Sequence, residues 1–194
     1  AAHTHPLPAK QTMAARLVSV AHLLLLLVVL AGSRRVALAS ETVEQTCAKA
    51  TSGAGREELA PFCVSSLQAA PGSDGADARG LAAIATNLTL ANYTAAVATI
   101  KALERRGGWS EPSRAALATC RQRYIEALNV VHSAVHALAT GNLRGYVSDM
   151  EVVGKAATDC EHAFGGAGSG PLRKVVEDAG NLVVVATLIV RSLQ

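Results

Sequence analysis

Apolar residues in the C-terminal part of the chain recur every three or four positions, the spacing of one face of an α-helix. Two such stripes run along residues 77–106 and 111–140. They consist of Leu81, Ile84, Leu88, Ala91, Ala95, Ala98 and Ala102, and of Leu117, Cys120, Tyr124, Leu128, Val131, Val135 and Leu138. A third segment extends to about residue 164, and a fourth, 171–194, is apolar on nearly every side. The pattern predicts four helices, the last buried among the other three.

Short glycine-rich or polar stretches separate these four segments. In GGWSEP, Ser110 is predicted to cap the second helix and Pro112 to lie in its first turn. Gly141 is predicted to close that helix and Asn142 to cap the third. The run NLVVVATLIV would suit a strand by propensity, but no partner strand is visible. Short connections make consecutive helices antiparallel, which predicts an all-α, up-down-up-down four-helix bundle over 71–194.

The N-terminal segment has the pattern of a secretory signal peptide, which we place at 13–39. Arg16 supplies a positive charge, the run Leu17–Ala31 is largely apolar, and the small residues of VALA precede a cut after Ala39. This apolar run is shorter than the roughly 20 residues of a membrane span. An uncleaved anchor remains the alternative, because two arginines lie between the run and the cut. Residues 1–12 are taken as a leader extension without a structural role.

Removal of this leader changes the net charge of the protein. The whole chain carries 18 Lys and Arg residues against 15 Asp and Glu residues, a net charge of +3. Four of the basic residues and none of the acidic ones precede residue 40, which leaves 14 against 15. The basic character therefore belongs to the leader, and it does not favour a nucleic acid as partner.

Four cysteines follow the predicted cut, and an even number in an oxidising compartment predicts two disulfides rather than four free thiols. They are Cys47, Cys63, Cys120 and Cys160. In the sequence, the midpoint between the first two cysteines is Gly55. The midpoint between the last two is Thr140, which is next to a glycine. Residues equidistant from the turn of an antiparallel hairpin lie at the same height, where a disulfide can form. This symmetry favours Cys47–Cys63 and Cys120–Cys160, and the first bond predicts a helical hairpin over 40–70.

The chain offers little that would support catalysis. His132 and His136 share a helix face at the spacing of a zinc pair, but Ser133 replaces the glutamate of the metalloprotease motif and no third ligand follows. Acidic pairs such as Glu151 and Glu161 are typical of solvated helix faces. Six aromatic residues are too few and too scattered for a stacking platform. The sequence therefore predicts a protein without enzymatic activity, metal or cofactor.

Two N-glycosylation sequons lie in the first long helical segment, NLT at Asn87 and NYT at Asn92. A secreted chain passes the enzymes that modify such sites. The two asparagines are five positions apart, so they face different directions and need not both be used.

The cysteine motifs also carry a family resemblance. ETVEQTCAKAT, PFCVSSL, CRQRY and TDCE, with a leader before them and an apolar helix after them, resemble the plant invertase and pectin methylesterase inhibitor superfamily. The resemblance covers essentially everything after residue 40. It implies a four-helix bundle with an N-terminal hairpin, and one disulfide in each of two helix pairs. It also implies a secreted protein of the cell wall or vacuole that binds a plant carbohydrate-active enzyme one to one and covers its active-site cleft.

The resemblance leaves two target enzymes open. Invertase inhibitors insert a Pro-Lys-Phe segment at the turn between bundle helices two and three, where this chain has Leu143, Arg144 and Gly145. Only the basic residue is kept, although Tyr146 supplies an aromatic side chain one position later. This departure favours pectin methylesterase over invertase. We expect an exposed target interface at Asn142, Leu143, Arg144 and Tyr146. A secreted bundle with a structural or ligand-binding role is the further alternative.

Overall fold

Six α-helices account for most of residues 43–166 and 170–194, the parts of the chain that the computed structural model describes. They are α1, helical over residues 43–52, α2 (Ala60–Gln68), α3 (Ala78–Arg106), α4 (Glu111–Ala139), α5 (Leu143–Ala163) and α6 (Arg173–Arg191). A short 3-10 turn, Glu57–Leu59, precedes α2. No strand occurs in these residues, so the all-α prediction is confirmed. The predicted signal peptide, 13–39, and the extension before it lie outside the described residues.

Polar side chains cap three of the bundle helices at their N-termini. Asp77, Ser110 and Asn142 each accept a hydrogen bond from the backbone N–H three residues later. Each bond satisfies one of the donors that a helix leaves unpaired in its first turn. Pro112 lies in the first turn of α4, where a missing N–H is tolerated. The sequence therefore encodes these helix starts locally, and the predicted caps at Ser110 and Asn142 are confirmed.

The four long helices α3, α4, α5 and α6 pack as an antiparallel bundle in which each contacts two neighbours. α4 packs against α3 and α5, and α6 packs against α5 and α3. The helix α6 thus packs chiefly against two helices, whereas its apolar sequence predicts burial among three. The hairpin of α1 and α2 joins the bundle through contacts of α2 with α3 and α6. The predicted up-down-up-down bundle with an N-terminal hairpin is confirmed.

The helix α3 is the one helix in the described part of the chain that is long and apolar enough to cross a bilayer. Length and composition alone give that result, and the core helix of a soluble bundle passes the same test. Its apolar face packs against α4 and α6.

The predicted core face of α3 is largely wrong, whereas that of α4 is largely confirmed. Of the predicted α3 stripe only Leu81 is fully buried, and the four alanines from Ala91 to Ala102 are exposed. Alanines occur on both faces of α3, so their spacing says little about its orientation. The larger Tyr93 and Ile100 decide the orientation, since they remove far more apolar area from water. The buried residues of α3 are Leu81, Ala82, Ala85, Thr86, Thr89, Tyr93, Ala96, Val97 and Ile100.

All three tyrosines of the chain are fully buried in the bundle core. The rings of Tyr93 and Tyr124 lie 4.8 Å apart between centroids, and the Tyr93 hydroxyl donates to the carbonyl of Val153 at 3.0 Å. Burial raises the pKa of all three phenols, because a phenolate would lose its hydration. The pKa of Tyr146 rises to about 12, and a hydrogen bond with Thr86 works against the shift.

Two disulfides join adjacent antiparallel helices. Cys47–Cys63 links α1 to α2 with Cα atoms 5.8 Å apart, and Cys120–Cys160 links α4 to α5 with Cα atoms 4.5 Å apart. These are the pairings that the symmetry of the sequence favours. All four cysteines are fully buried.

Replacement of both Cys120 and Cys160 by alanine should lower the free energy of unfolding by about 4 kcal/mol, because the unfolded chain regains the freedom of a long closed loop. The two residues are 40 positions apart. Guanidinium denaturation followed by far-UV circular dichroism measures the change. Replacement of Cys47 and Cys63, 16 positions apart, is the matched comparison. The loss of Cys47–Cys63 should destabilise the hairpin by about 3 kcal/mol and leave the main unfolding transition of the bundle in place. An unchanged denaturation midpoint for both variants would contradict this account.

Alkaline pH should destabilise the fold through the buried tyrosines. The neutral phenol is favoured in the folded state, so the stabilisation is complete below the unfolded pKa of about 10 and is lost as the pH rises toward 12. Three such groups imply a loss of about 4 kcal/mol per pH unit in this range. Urea titrations at several pH values measure the slope. Tyrosinate absorbance should appear together with the loss of helix, and its appearance in fully helical protein would contradict burial.

Candidate functional site

The turn between α4 and α5 reverses the chain within three residues. The N–H of Asn142 donates to the carbonyl of Ala137 at 2.8 Å, and that of Gly141 donates to Leu138 at 3.2 Å. This bonding pattern closes a helix when the residue after its C-cap is left-handed, and Gly141 has a φ of +76°. Because Asn142 also caps α5, the turn is fixed from both sides.

The side chains at this turn differ in their access to solvent. Asn142 and Arg144 are exposed, whereas Leu143 is half-buried against the hydrophobic core. No ion pair in the described residues involves Arg144. Its guanidinium is therefore available to a carboxylate of another protein.

The prediction that Tyr146 is exposed is wrong. Its side chain is 0% exposed, and its hydroxyl lies 2.7 Å from Oγ1 of Thr86 on α3. The hydroxyl of Thr86 already donates to the carbonyl of Ala82, so Tyr146 is the donor. Tyr146 begins the buried stripe of α5, which continues through Met150 and Val153 at helical spacing. That spacing is visible in the sequence, and it identifies Tyr146 as a core residue.

Gly145 lies close to the capping side chain of α5. Its N–H donates to Oδ1 of Asn142 at 3.0 Å. A Cβ atom at residue 145 would lie 2.8 Å from Cγ of Asn142 and closer still to its amide nitrogen, so a side chain there would make the Asn142 side chain shift. The third position of the tripeptide segment therefore has no side chain here, and an aromatic side chain would require the capping amide to move.

The histidines and carboxylates form no cluster that could hold a metal ion in the described part of the chain. His132 and His136 are both exposed, and no three His, Cys, Asp or Glu side chains lie together there. Glu151 pairs with Arg191 at 2.7 Å across α5 and α6. This ion pair is exposed and contributes at most about 1 kcal/mol.

The two sequon asparagines both lie on α3 but in different surroundings. Asn87 is exposed, whereas Asn92 is half-buried. The side-chain oxygen of Asn92 is buried and has no hydrogen-bond partner among the described residues.

A groove of about 830 Å³ between α5 and α6 was not expected from the sequence. Gly154, Ala157 and Gly180 are part of its lining, and small residues on facing helices leave such space between the backbones. Glu151 and Lys155 also line it. The only sequence signal for the groove is the occurrence of small residues in both helices, which cannot be interpreted before the helices are paired.

One exposed strip of α5 connects this groove to the turn. Arg144, Ser148, Glu151 and Lys155 are all exposed and follow one another at spacings of four, three and four residues. Residues at these spacings lie on one helix face. The strip therefore runs from the turn along α5 to the edge of the groove.

Comparison with known proteins gives one family match and two similar solved structures. A family model described as plant invertase/pectin methylesterase inhibitor matches residues 41–189. The chain is similar to a solved mutant form of a pectin methylesterase inhibitor from Arabidopsis, with 20% identity and a TM-score of 0.60 over 68% of this chain and 88% of that chain. It is also similar to a pectin methylesterase inhibitor from Arabidopsis thaliana, with 21% identity and a TM-score of 0.56 over 70% and 89% of the two chains.

The search of curated proteins gave no significant match. At these identities the two structural similarities show a shared fold.

Substitution of Tyr146 by phenylalanine should lower the free energy of unfolding by about 1 kcal/mol, because it removes the hydrogen bond to Thr86. Tyr124 provides a matched control, since it is equally buried but its hydroxyl has no hydrogen-bond partner in the described residues. Tyr124→Phe should leave the stability unchanged or raise it by up to about 1 kcal/mol. Chemical denaturation of both variants measures the difference. Equal losses in the two variants would argue against the Tyr146–Thr86 bond.

Proposed function

The chain belongs to the plant invertase/pectin methylesterase inhibitor family, and from this we propose that it inhibits a plant pectin methylesterase. In this proposal one copy binds one enzyme molecule and covers its active-site cleft. The observation that carries it is the family match, which spans the hairpin and nearly the whole bundle. Both similar solved structures are themselves pectin methylesterase inhibitors. The proposed mode of action is binding, without chemistry on the part of this protein.

The proposed place of action is the plant cell wall. The leader pattern over 13–39 is that of a secreted protein, and the two disulfides suit an oxidising compartment. The vacuole is the alternative destination.

The proposed target surface combines the α4–α5 turn with the exposed strip of α5. A specific interface covers roughly 800 Å² on each partner, which is more than one three-residue turn presents. Arg144 lies where the turn meets the strip, and Lys155 lies at the other end beside the groove. Asn142 and Leu143 contribute backbone and partial side-chain surface at the turn. Tyr146 takes no part, because it is buried.

The geometry of the turn supports pectin methylesterase over invertase as the target. Inhibition of an invertase through a Pro-Lys-Phe segment requires side chains that leave the turn and enter a catalytic pocket. Here Leu143 is half-buried against the core, and residue 145 is a glycine with no side chain to insert. Arg144 alone projects from the segment, which suits a contact at the edge of a cleft.

Purified secreted protein should slow the demethylation of pectin when it is present at a stoichiometric amount relative to the enzyme. A panel of plant pectin methylesterases and of cell-wall and vacuolar invertases, assayed in parallel, distinguishes the candidate targets. Inhibition restricted to invertases would support the alternative target. Failure against both enzyme classes would contradict the proposal and leave a structural or ligand-binding bundle.

Replacement of Arg144 by glutamate should weaken inhibition about 10- to 100-fold, because the reversed charge meets the same partner surface. Arg105→Glu is the matched control. Arg105 is exposed in the last turn of α3, at the opposite end of the bundle, about 40 Å away along a helix of this length. The Arg105→Glu variant should inhibit the target enzyme as strongly as the unchanged protein. Equal potency of the two variants, with folding verified by circular dichroism, would place the interface elsewhere.

A further inference from the structure

A second, smaller groove lies between α3 and α4 and has a volume of about 220 Å³. Ala83, Val135 and Leu138 give it an apolar lining, and the sequon asparagine Asn87 lines it as well. We propose that Asn87 carries an N-linked oligosaccharide whose first N-acetylglucosamine occupies this groove, and that Asn92 is unmodified. The inference requires entry into the secretory pathway but does not depend on the identity of the target enzyme.

The surroundings of the two asparagines favour modification of Asn87. Asn87 is exposed, so an attached sugar leaves the helix without displacing packed atoms. Asn92 is half-buried, and its side-chain oxygen has no contact with solvent. A chain modified at Asn92 would have to fold with its sugar emerging past the packed surface around α3, which close packing disfavours, so the folded protein should lack a sugar at Asn92.

The modification must precede the folding of α3. The hydroxyl of Thr89, which completes the sequon, is fully buried and donates to the carbonyl of Ala85 at 2.9 Å, so no enzyme can reach it in the folded protein. During translocation the chain is unfolded and the sequon is accessible. The side-chain nitrogen of Asn87 then forms a bond to C1 of the first sugar of a lipid-linked oligosaccharide. The bond from that carbon to the lipid diphosphate breaks, and the amide gives up a proton.

The groove suits the first sugar because Asn87 tethers it at the edge of the apolar lining. The acetyl methyl group and the less polar face of the ring can cover Ala83, Val135 and Leu138. The guanidinium of Arg79, which also lines the groove, can donate to the acetyl carbonyl. Covering these apolar atoms removes them from water and stabilises the fold.

The sugar would also cover one side of the bundle and leave the opposite side accessible to protein partners. Each bundle helix packs against two neighbours in the order α3, α4, α5, α6, so the α3–α4 groove and the α5–α6 groove lie on opposite sides. A glycan on Asn87 closes the first side to protein partners and leaves the strip of α5 accessible.

Mass spectrometry of the secreted full-length chain, expressed with its own leader in a eukaryotic host, tests the position of the glycan. Asn87→Gln should abolish glycosylation. Thr94→Ala is the matched control, because it destroys the second sequon at an exposed residue and should leave the glycan in place. An unmodified Asn87 or a glycan on Asn92 would overturn the assignment.

Two enzymatic treatments of the same glycoprotein, made with oligomannose chains, test whether the first sugar occupies the groove. One endoglycosidase leaves a single N-acetylglucosamine on Asn87, and an amidase removes every sugar. The trimmed protein should unfold at the temperature of the intact glycoprotein, and the stripped protein about 2–4 °C lower. The amidase leaves an aspartate, and so a negative charge, at residue 87. Asn87→Gln protein lacks both the sugar and this charge, so an unfolding temperature equal to that of the stripped form would attribute the difference to the sugar.

Equal unfolding temperatures for the trimmed and stripped forms would overturn the placement in the groove. Inhibition of the target enzyme by Asn87→Gln protein should be unchanged, because Asn87 lies on α3, which contributes no residue to the proposed interface. The outcome for the glycan is therefore independent of the outcome for the inhibitory function.

Discussion

The α4–α5 hairpin is closed at both ends, and this double closure sets the geometry of the surface that the protein presents. At one end Gly141 and Asn142 reverse the chain with hydrogen bonds to the last turn of α4. At the other end Cys120 and Cys160 hold the two helices with Cα atoms 4.5 Å apart. The 20 or so residues between the turn and the disulfide correspond to about 30 Å of helix on each side. With both ends fixed, α5 can neither slide nor rotate relative to α4, so the direction in which Arg144 projects is determined.

Hydrogen bonds between α3 and α5, which lie diagonally across the bundle, complement this closure. Tyr93 on α3 donates to the carbonyl of Val153 on α5, and Tyr146 on α5 donates to Thr86 on α3. The core is otherwise rich in alanine, whose small side chains would pack acceptably in several orientations. A buried hydroxyl without a partner is unfavourable, so these two bonds disfavour rotated packings of α3 and α5. They specify the fold more than they add to its stability.

The sequence predicts those features of the fold that depend on residues close to one another along the chain. The caps at Ser110 and Asn142, the closing glycine at 141 and the helix count all follow from local patterns. The orientation of α3 does not follow, because alanine occurs on both of its faces and the tyrosine that fixes its orientation finds its partner 60 residues away. The burial of Tyr146 could have been predicted from its spacing with Met150 and Val153, and only its hydrogen bond to Thr86 of another helix lies beyond local pattern. The two grooves exist only between paired helices, so no single segment indicates them.

The close contact between Gly145 and Asn142 also restricts how this turn can evolve. In the present conformation of Asn142, a side chain at residue 145 would clash with the capping amide. A related protein that gained an inserting aromatic residue at 145 would have to move this amide or replace the capping residue. The two positions are therefore expected to change together among relatives.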